Sequence, residues 1–290
     1  MIDSSNLAAR SHSKASVNLL QDRHGLKVHK ELDGQDSRSQ RSVQKQRDFQ
    51  PLRNEFFSVS SARIDDVQQS GGKIHVFMEY CDGLNGEGFA THGDRASAIY
   101  LGDALSALLA RNATNSVSYK VASDPFLEKI DQVISNTSST GLIPLLLSTR
   151  ERISAFFAKH KNVEVLIGPC HGDLTLSNMI LSPSRGLVLI DFLDTYFESP
   201  LQDVAKLQQD FFYGWSCRKS DGNLKIKSEI FNRIAAPRFA RELQTRYRHA
   251  SVLFSLLCLS RIAPYLNGDP QTECWLIRSL EDQLHHLKEM

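Results

Sequence analysis

Apolar and polar positions follow two different spacings along this chain of 290 residues. In the first quarter, the alternation over 25–30 and the strand-forming residues of 73–80 predict β-strands, and 16–20 and 57–68 favour further strands. From residue 96 onward, apolar residues recur at the three- and four-residue spacing of helices. A β-rich first quarter followed by a helical remainder is an α+β pattern, which differs from the βαβ alternation of a doubly wound sheet.

One helix is predicted within the β-rich part, over 36–53, where the apolar stripe is thin. The later helices are predicted over 96–111, 125–134, 144–160, 201–213, 237–265 and 271–290. Asp82 and Gly83 are turn residues that end the strand over 73–80. The change from strands to helices therefore falls close to residue 80.

The composition excludes several classes of function. Apolar residues make up 41% of the chain, enough for a core, and the net charge of +1 argues against capture of nucleic acid by bulk electrostatics. The five cysteines form no Cys-x-x-Cys pattern, so neither a zinc ribbon nor a redox motif is predicted, and their odd number fits a reducing compartment. Residues 1–10 lack the apolar segment of a secretory signal, and no apolar stretch is long enough to span a membrane. We therefore expect a cytoplasmic protein.

The most informative motif is His-Gly-Asp-Leu-Thr-Leu-Ser-Asn over 171–178, followed by Ile-Asp-Phe over 190–192. It combines two carboxylates with one amide, the groups that metal-assisted phosphoryl transfer requires. One carboxylate accepts or orients the proton of an attacking hydroxyl. The amide and the second carboxylate hold the magnesium ions that bridge the nucleotide phosphates.

The residues between the two halves of the motif predict a β-hairpin. Residues 179–181 favour a short strand, 182–186 supply turn residues, and 186–191 form a buried apolar strand that ends in a carboxylate. Such a hairpin would return Asp191 to the same end as Asn178. Strand alternation could then direct both side chains to one metal.

The motif resembles that of the aminoglycoside phosphotransferase and choline kinase-like families, which are relatives of the protein kinases. The resemblance implies that Asp173 is the catalytic base and that Asn178 and Asp191 are the magnesium ligands. His171 would be a structural member of the loop. Asp203 matches a later family aspartate that braces the loop by accepting backbone hydrogen bonds, although a helix N-terminal acid is the alternative interpretation.

The resemblance also implies a bilobal protein kinase-like fold with a small β-rich N-lobe, residues 1–80, and a larger, mainly helical C-lobe, residues 81–290. In that fold, a lysine on the third strand holds the α- and β-phosphates of the nucleotide. Lys30 is our choice, because it shares a strand face with apolar neighbours, whereas Lys27 lies on the opposite face. The helix that follows should carry a glutamate that pairs with this lysine, but no Glu occurs over 36–54. The partner of Lys30 is therefore open.

Two further nucleotide contacts are predicted by position. Residues 11–16 stand where the phosphate-covering loop is expected, and they offer Ser13 instead of a Gly-x-Gly-x-x-Gly pattern; a polar surface turn is the alternative interpretation. Backbone groups near Glu79 and Cys81 stand where the hinge between lobes would bond the adenine edge. A core strand followed by a turn is the alternative there.

These features predict a kinase that moves the γ-phosphate of ATP, or of GTP, with Mg²⁺, to a hydroxyl of a small molecule. The charges of the later helices are mixed, and an aromatic cluster occurs over 211–215, which favours a sugar or glycan precursor over a polyamine. An aminoglycoside or a choline-like amino alcohol is the alternative acceptor. A protein kinase is disfavoured by His-Gly-Asp in place of His-Arg-Asp, and a non-catalytic nucleotide-binding module stays open.

The expected partners are a nucleotide and a small hydroxylated acceptor, not nucleic acid or membrane. The oligomeric state is left open.

Overall fold

The computed structural model describes residues 16–22, 25–266 and 268–290. The predicted phosphate-covering loop before residue 16, with Ser13, lies outside the described residues. Within them, every helix is too short or too polar to cross a lipid bilayer. The chain divides into two compact units, which we describe separately.

Strands and helices follow one another in mixed order. The strands are β1 (Ser16–Asp22), β2 (Gly25–Asp33), β3 (Leu52–Arg53), β4 (Ser58–Ser61), β5 (Ile64–Ser70), β6 (Lys73–Glu79), β7 (Leu84–Asn85), β8 (Val117–Val121), β9 (Val163–Ile167), β10 (Met179–Ser182) and β11 (Gly186–Leu189). The α-helices are α1 (Ser37–Arg47), α2 (Gly86–His92), α3 (Arg95–Thr114), α4 (Asp124–Asn136), α5 (Ile143–His160), α6 (Pro200–Phe211), α7 (Gly222–Ala235), α8 (Arg238–Arg246), α9 (Arg248–Ser260) and α10 (Pro270–Lys288). Short 3₁₀ turns lie at Leu176–Asn178, Trp215–Cys217 and Ala263–Tyr265.

Unit 1 contains the described residues up to Gly86 and the later segment Asn178–Asp194. It holds a four-stranded antiparallel sheet in the order β1-β2-β6-β5 and a five-stranded sheet in the order β3-β4-β11-β10-β7. In the second sheet, β11 pairs antiparallel with β10 and parallel with β4. The predicted hairpin is therefore present, and sheet pairing joins it to the strands of the first quarter. The sequence alone assigned that segment to the range 81–290.

One face of the four-stranded sheet is buried because successive strand residues point to opposite sides. Ile74, Val76 and Met78 of β6 are buried on this face, and Val28 of β2 packs against them. Lys30 pairs with Val76 across the two strands and so shares that face. The strand register therefore places Lys30 on the buried face of the sheet, as we predicted from its apolar neighbours.

Unit 2 contains Glu87–Ser177 and Thr195–Met290 and is mainly helical. Helix α9 is its central element: Leu253, Phe254 and Leu256 are fully buried. It packs against α4, α5, α6, α8 and α10. A helix that is apolar around most of its circumference is typical of such a central position. β8 and β9 form a separate antiparallel pair.

Two predicted helices differ from those observed. The helix predicted over 36–53 ends at Arg47, because Pro51 cannot continue a helix and restricts the residue before it to extended conformations. The helix predicted over 237–265 is divided into α8 and α9, since the backbone of Tyr247 (φ −112°, ψ 46°) leaves the helical region.

Candidate active site

The candidate residues fall into two groups, one in each unit. The first group is built around an ion pair in unit 1. The Nζ atom of Lys30 lies 2.8 Å from Oδ1 of Asp191. These residues are 161 positions apart in sequence, and it is the packing of unit 1 that brings them together. The Lys30 side chain is 15% exposed and that of Asp191 is 42% exposed, so the carboxylate remains accessible.

Asp191 stands at the end of the hairpin in an uncommon backbone conformation. Its φ is +58°, in the left-handed region, which costs a residue with a Cβ about 1–2 kcal/mol. Conformations of this kind tend to occur at functional sites. The N–H of Ile190 donates to the backbone oxygen of Asn178 at 3.1 Å, which extends the hairpin pairing beyond Met179 and Leu189. Asn178 and Asp191 therefore lie at the same end of the hairpin.

Helix α1 contains no acidic residue, and it contacts the segment after Asp191 instead of supplying a partner for Lys30. The guanidinium of Arg41 lies 2.9 Å from the carboxylate of Asp194. The Ser42 hydroxyl accepts the N–H of Asp194 at 2.8 Å, and the Lys45 ammonium donates to the backbone oxygen of Leu193 at 2.9 Å. A basic helix thus anchors this segment, and Asp191 takes the place that a helix glutamate would have beside the lysine.

The two predicted hinge residues lie around one arginine. The carboxylate of Glu79 accepts from Arg185 Nη1 at 2.5 Å and from the N–H of Arg63 at 2.7 Å. The Arg185 guanidinium also contacts the Cys81 sulfur at 3.6 Å. Burial raises the pKa of the Cys81 thiol to about 11, so it is protonated near neutral pH. The N–H of Glu79 bonds to the backbone oxygen of Arg63 at 3.0 Å and is therefore already used.

The second group lies in unit 2 and begins with the loop that carries Asp173. The fully buried carboxylate of Asp203 accepts the N–H groups of His171 at 2.7 Å and Gly172 at 2.8 Å. These are the bonds that the bracing role of Asp203 requires. His171 is buried, and its Nδ1 accepts the N–H of Asp173 at 3.2 Å. Gly172 has a φ of +91°, which favours glycine at this position.

Asp173 is paired with a lysine from α6. Lys206 Nζ lies 3.0 Å from Asp173 Oδ1. Burial acts to raise the pKa of Asp173, but the charge and hydrogen bond of Lys206 and the charges of Arg261 and His171 outweigh it, and the pKa lies below its usual value. The carboxylate is therefore ionised near neutral pH and able to accept a proton.

Asp210 holds the far end of the same loop. One of its carboxylate oxygens accepts the N–H of Leu176 at 2.6 Å, and the other accepts the N–H of Ser216 at 2.9 Å and its hydroxyl at 2.5 Å. Burial raises the pKa of Asp210 to about 6, although these hydrogen bonds act to lower it. The loop is thus bonded to buried carboxylates of one helix at both of its ends.

The contributions of Lys206 and Asp210 were not foreseen from the sequence, where both were counted only as part of a mixed charge pattern. A signal was present, since Asp203, Lys206 and Asp210 recur at positions i, i+3 and i+7, which share one face of a helix. Once Asp203 is assigned to the loop, that face predicts the other two contacts.

A sequence model of the phosphotransferase enzyme family matches residues 35–244, more than half of the chain. The chain belongs to this family, so the resemblance inferred from the motif and the prediction of a small-molecule kinase are confirmed at the level of the family. A comparison with curated proteins gives no match.

Several solved structures are similar to this chain in fold. A thermostable mutant of aminoglycoside phosphotransferase APH(4)-Ia, in ternary complex with AMP-PNP and hygromycin B, is similar with a TM-score of 0.59 at 12% identity over 95% of this chain and 92% of that one. The apo form gives a TM-score of 0.57 at 12% identity, over 94% and 91%. Choline kinase LicA from Streptococcus pneumoniae gives 0.48 at 15% identity, over 94% and 90%. The similarity to the first two structures confirms the α+β protein kinase-like fold.

Proposed function

We propose that this protein transfers the γ-phosphoryl group of ATP, or of GTP, to a hydroxyl of a small molecule, with a sugar or glycan precursor as the acceptor. The observation that carries the proposal is the 2.8 Å ion pair between Lys30 and Asp191. A lysine suited to nucleotide phosphates and a carboxylate suited to a metal ion are brought together from distant parts of the sequence. Family membership supports the same chemistry.

Asn178 and Asp191 fit a magnesium ion, because an amide oxygen and a carboxylate oxygen are the hard ligands that it prefers. Bound there, magnesium would supply positive charge against the charge of the phosphate oxygens. Asp191 is partly exposed and can offer the oxygen that Lys30 does not contact. Lys30 would then donate to the phosphates, as predicted from the sequence. Backbone groups near Glu79 and Cys81 remain the predicted contacts to the adenine edge.

Asp173 would act as the base. Its carboxylate is ionised near neutral pH, and it would orient the acceptor hydroxyl and take its proton as the oxygen bonds to the γ-phosphorus. The bond from phosphorus to the bridging oxygen breaks, and the nucleoside diphosphate leaves with that electron pair. Lys206 binds one carboxylate oxygen and would hold the side chain of Asp173 in place. His171 and Asp203 would position the loop.

The charges beside Asp173 favour a neutral acceptor. Lys206 and Arg261 both act on its carboxylate, and each would repel a nearby ammonium group. An aminoglycoside or a choline-like amino alcohol carries such groups, whereas a sugar does not. The local electrostatics therefore support a sugar hydroxyl over a cationic acceptor.

The nucleotide part is tested by calorimetric titration of ATP and GTP with magnesium and with EDTA. We expect binding that weakens strongly when magnesium is removed. Tight binding that is indifferent to EDTA would remove the magnesium assignment of Asn178 and Asp191. No binding of either nucleotide would refute the proposal.

The acceptor part is tested by nucleotide consumption with three acceptor sets: neutral sugars, choline-like amino alcohols and aminoglycosides. We expect turnover with neutral sugars and phosphorylated product detected by mass spectrometry. Turnover only with a cationic set would reverse the preference argued from Lys206 and Arg261. Nucleotide binding without turnover on any set would indicate a non-catalytic module.

A further inference from the structure

The outer face of the four-stranded sheet carries two histidines and a glutamate whose ligand atoms converge. His29 and Glu31 are two positions apart on β2. His75 lies on the neighbouring strand β6 and pairs directly with Glu31. Because strand residues alternate, these side chains lie on the face opposite Lys30. One nitrogen of each imidazole and one carboxylate oxygen of Glu31 all lie within 4.8 Å of one another.

The separations are close to those that a small metal ion requires. His29 Nε2 lies 3.1 Å from His75 Nδ1, and His75 Nδ1 lies 3.9 Å from Glu31 Oε1. Ligands at about 2.0–2.2 Å from a tetrahedral zinc are roughly 3.3–3.6 Å apart. These two separations bracket that range, and the third pair of ligand atoms, from His29 and Glu31, lies within 4.8 Å. Side-chain rotations would bring all three atoms to zinc-ligand distances.

The approach of the two imidazoles has a chemical consequence. The 3.1 Å separation is that of an N–H···N hydrogen bond, in which one imidazole donates and the other accepts. A metal ion bound between the two nitrogens would take the place of the proton in this hydrogen bond. The rings are also held in place, since His29 stacks on Phe77 at 4.6 Å between ring centroids.

We propose that His29, His75 and Glu31 bind a zinc-class divalent transition-metal ion, with water as the fourth ligand. Imidazole nitrogen favours zinc, cobalt, nickel and copper over magnesium, so this site would not compete for the magnesium of the nucleotide site. The ion would join β2 to β6 on both sides of Lys30. It would therefore fix the strand that carries this lysine from the outer face of the sheet.

Lys73 sets the affinity of the proposed site. Its Nζ lies 2.6 Å from Glu31 Oε2, the carboxylate oxygen that does not face His75. A lysine bound there competes with the metal for the negative charge of the same carboxylate. The Lys73 side chain is 57% exposed, so it can move into solvent. Removal of this charge should strengthen metal binding, an effect that an unrelated surface site would not show.

The test is a titration of the full chain with cobalt(II), followed by visible absorption without magnesium. A four-coordinate site with nitrogen ligands gives an intense band, whereas an octahedral oxygen site such as one at Asn178 and Asp191 absorbs weakly. We expect one cobalt per chain, displaced by zinc. His29→Ala and His75→Ala should each weaken cobalt binding by at least ~100-fold. Loss of a residue that only hydrogen-bonds to a metal ligand costs up to about 100-fold, so a larger loss indicates a direct ligand.

Three further variants keep the proposal falsifiable. Glu31→Gln should weaken binding, and Lys73→Met should strengthen it, even if a histidine variant fails to fold by circular dichroism. The double variant His285→Ala/His286→Ala removes an exposed histidine pair of α10 and should leave the band unchanged. The proposal is overturned if the band survives in His29→Ala and His75→Ala, if it is lost in the α10 double variant, or if no intense band forms.

Discussion

The two groups of candidate residues are held by different physical means. In unit 2, buried carboxylates of Asp203 and Asp210 bond the backbone of the loop that carries Asp173. In unit 1, Asp191 is partly exposed, has a left-handed backbone conformation and forms an ion pair with Lys30. The first arrangement consists of buried hydrogen bonds to backbone N–H groups, and the second of a pair of charges that solvent can reach.

This difference indicates which contacts can be exchanged during a reaction. A buried N–H that loses its acceptor pays the full cost of desolvation, so the contacts of Asp203 are not replaceable by a ligand. A partly exposed ion pair such as Lys30 with Asp191 contributes less to stability than buried hydrogen bonds, and its partners can turn to a phosphate or a metal ion instead. We therefore expect some substitutions in unit 2 to lower turnover and others to lower the free energy of unfolding. Substitutions in unit 1 should lower the affinity for nucleotide.

The largest effect is expected for Asp173→Asn. The substitution keeps the size of the side chain and removes its charge and basicity. General-base contributions amount to about 10²–10⁴-fold, so turnover should fall by that factor. Affinity for the magnesium nucleotide should be nearly unchanged, since the contacts of unit 1 are retained. The measurement is steady-state turnover with an identified acceptor, together with nucleotide titration.

Asp191→Asn is the matched variant in unit 1. It should weaken the binding of the magnesium nucleotide itself, because it removes the charge of a proposed metal ligand. Wild-type turnover in Asp173→Asn would remove the catalytic-base role and leave the loop a structural feature. Equal loss of nucleotide affinity in both variants would abolish the distinction between the two groups.

A large loss of stability is expected for Asp203→Ala. The substitution leaves the N–H groups of His171 and Gly172 without their acceptor, at roughly 1–3 kcal/mol for each. The free energy of unfolding, measured with urea, should fall accordingly. Asp103→Ala, at an exposed position of α3, is the control and should change it by less than about 0.5 kcal/mol. Similar values for the two variants would show that Asp203 does not brace the loop.

Local sequence patterns predicted one half of the site better than the other. The hairpin between Asn178 and Asp191 follows from a short strand, turn residues and a second apolar strand, all close in sequence. The direction of Lys30 follows from alternation along one strand. In contrast, the contacts of Lys206 and Asp210 depend on which face of α6 packs against the loop, and periodicity does not identify the partner of a helix face.

The same limit applies to the fold. The strands β8 and β9 pair with each other across two intervening helices, and neither strand was predicted, because short pairs depend on a distant partner. The ion pair of Lys30 with Asp191 is also long-range. The sequence revealed only that a helix glutamate is missing, and the packing of unit 1 supplied the partner.

A moderate effect is expected for Lys30→Ala. Hydrogen bonds to charged groups contribute about 1.5–3 kcal/mol, so nucleotide affinity should weaken by about 10- to 150-fold. Stability should change little, because the pair with Asp191 is partly exposed. Lys27→Ala is the matched control on the opposite face of β2, where its Nζ lies 3.6 Å from Asp65. Calorimetric titration of ATP with magnesium distinguishes the two variants, and equal losses would show that the assignment of Lys30 is wrong.

The smallest effect is a change in the pH dependence of stability caused by Asp210. Because burial raises its pKa in the folded protein from 3.8 to about 6, the folded state binds more protons than the unfolded state between these values. The contribution of Asp210 to stability is therefore present below about pH 4 and is lost as the pH rises towards 6. Asp210→Asn removes this titration.

The free energy of unfolding of Asp210→Asn, minus that of the parent protein, should consequently rise between pH 4 and pH 6. The slope of this difference should be at most about 1.4 kcal/mol per pH unit, the limit for one proton. Urea unfolding at a series of pH values measures it, with Asp103→Asn as the exposed control that should give a flat difference. A flat difference for Asp210→Asn as well would mean that this carboxylate keeps its ordinary pKa. A difference that falls with pH would mean that its hydrogen bonds to Leu176 and Ser216 outweigh the cost of burying its charge.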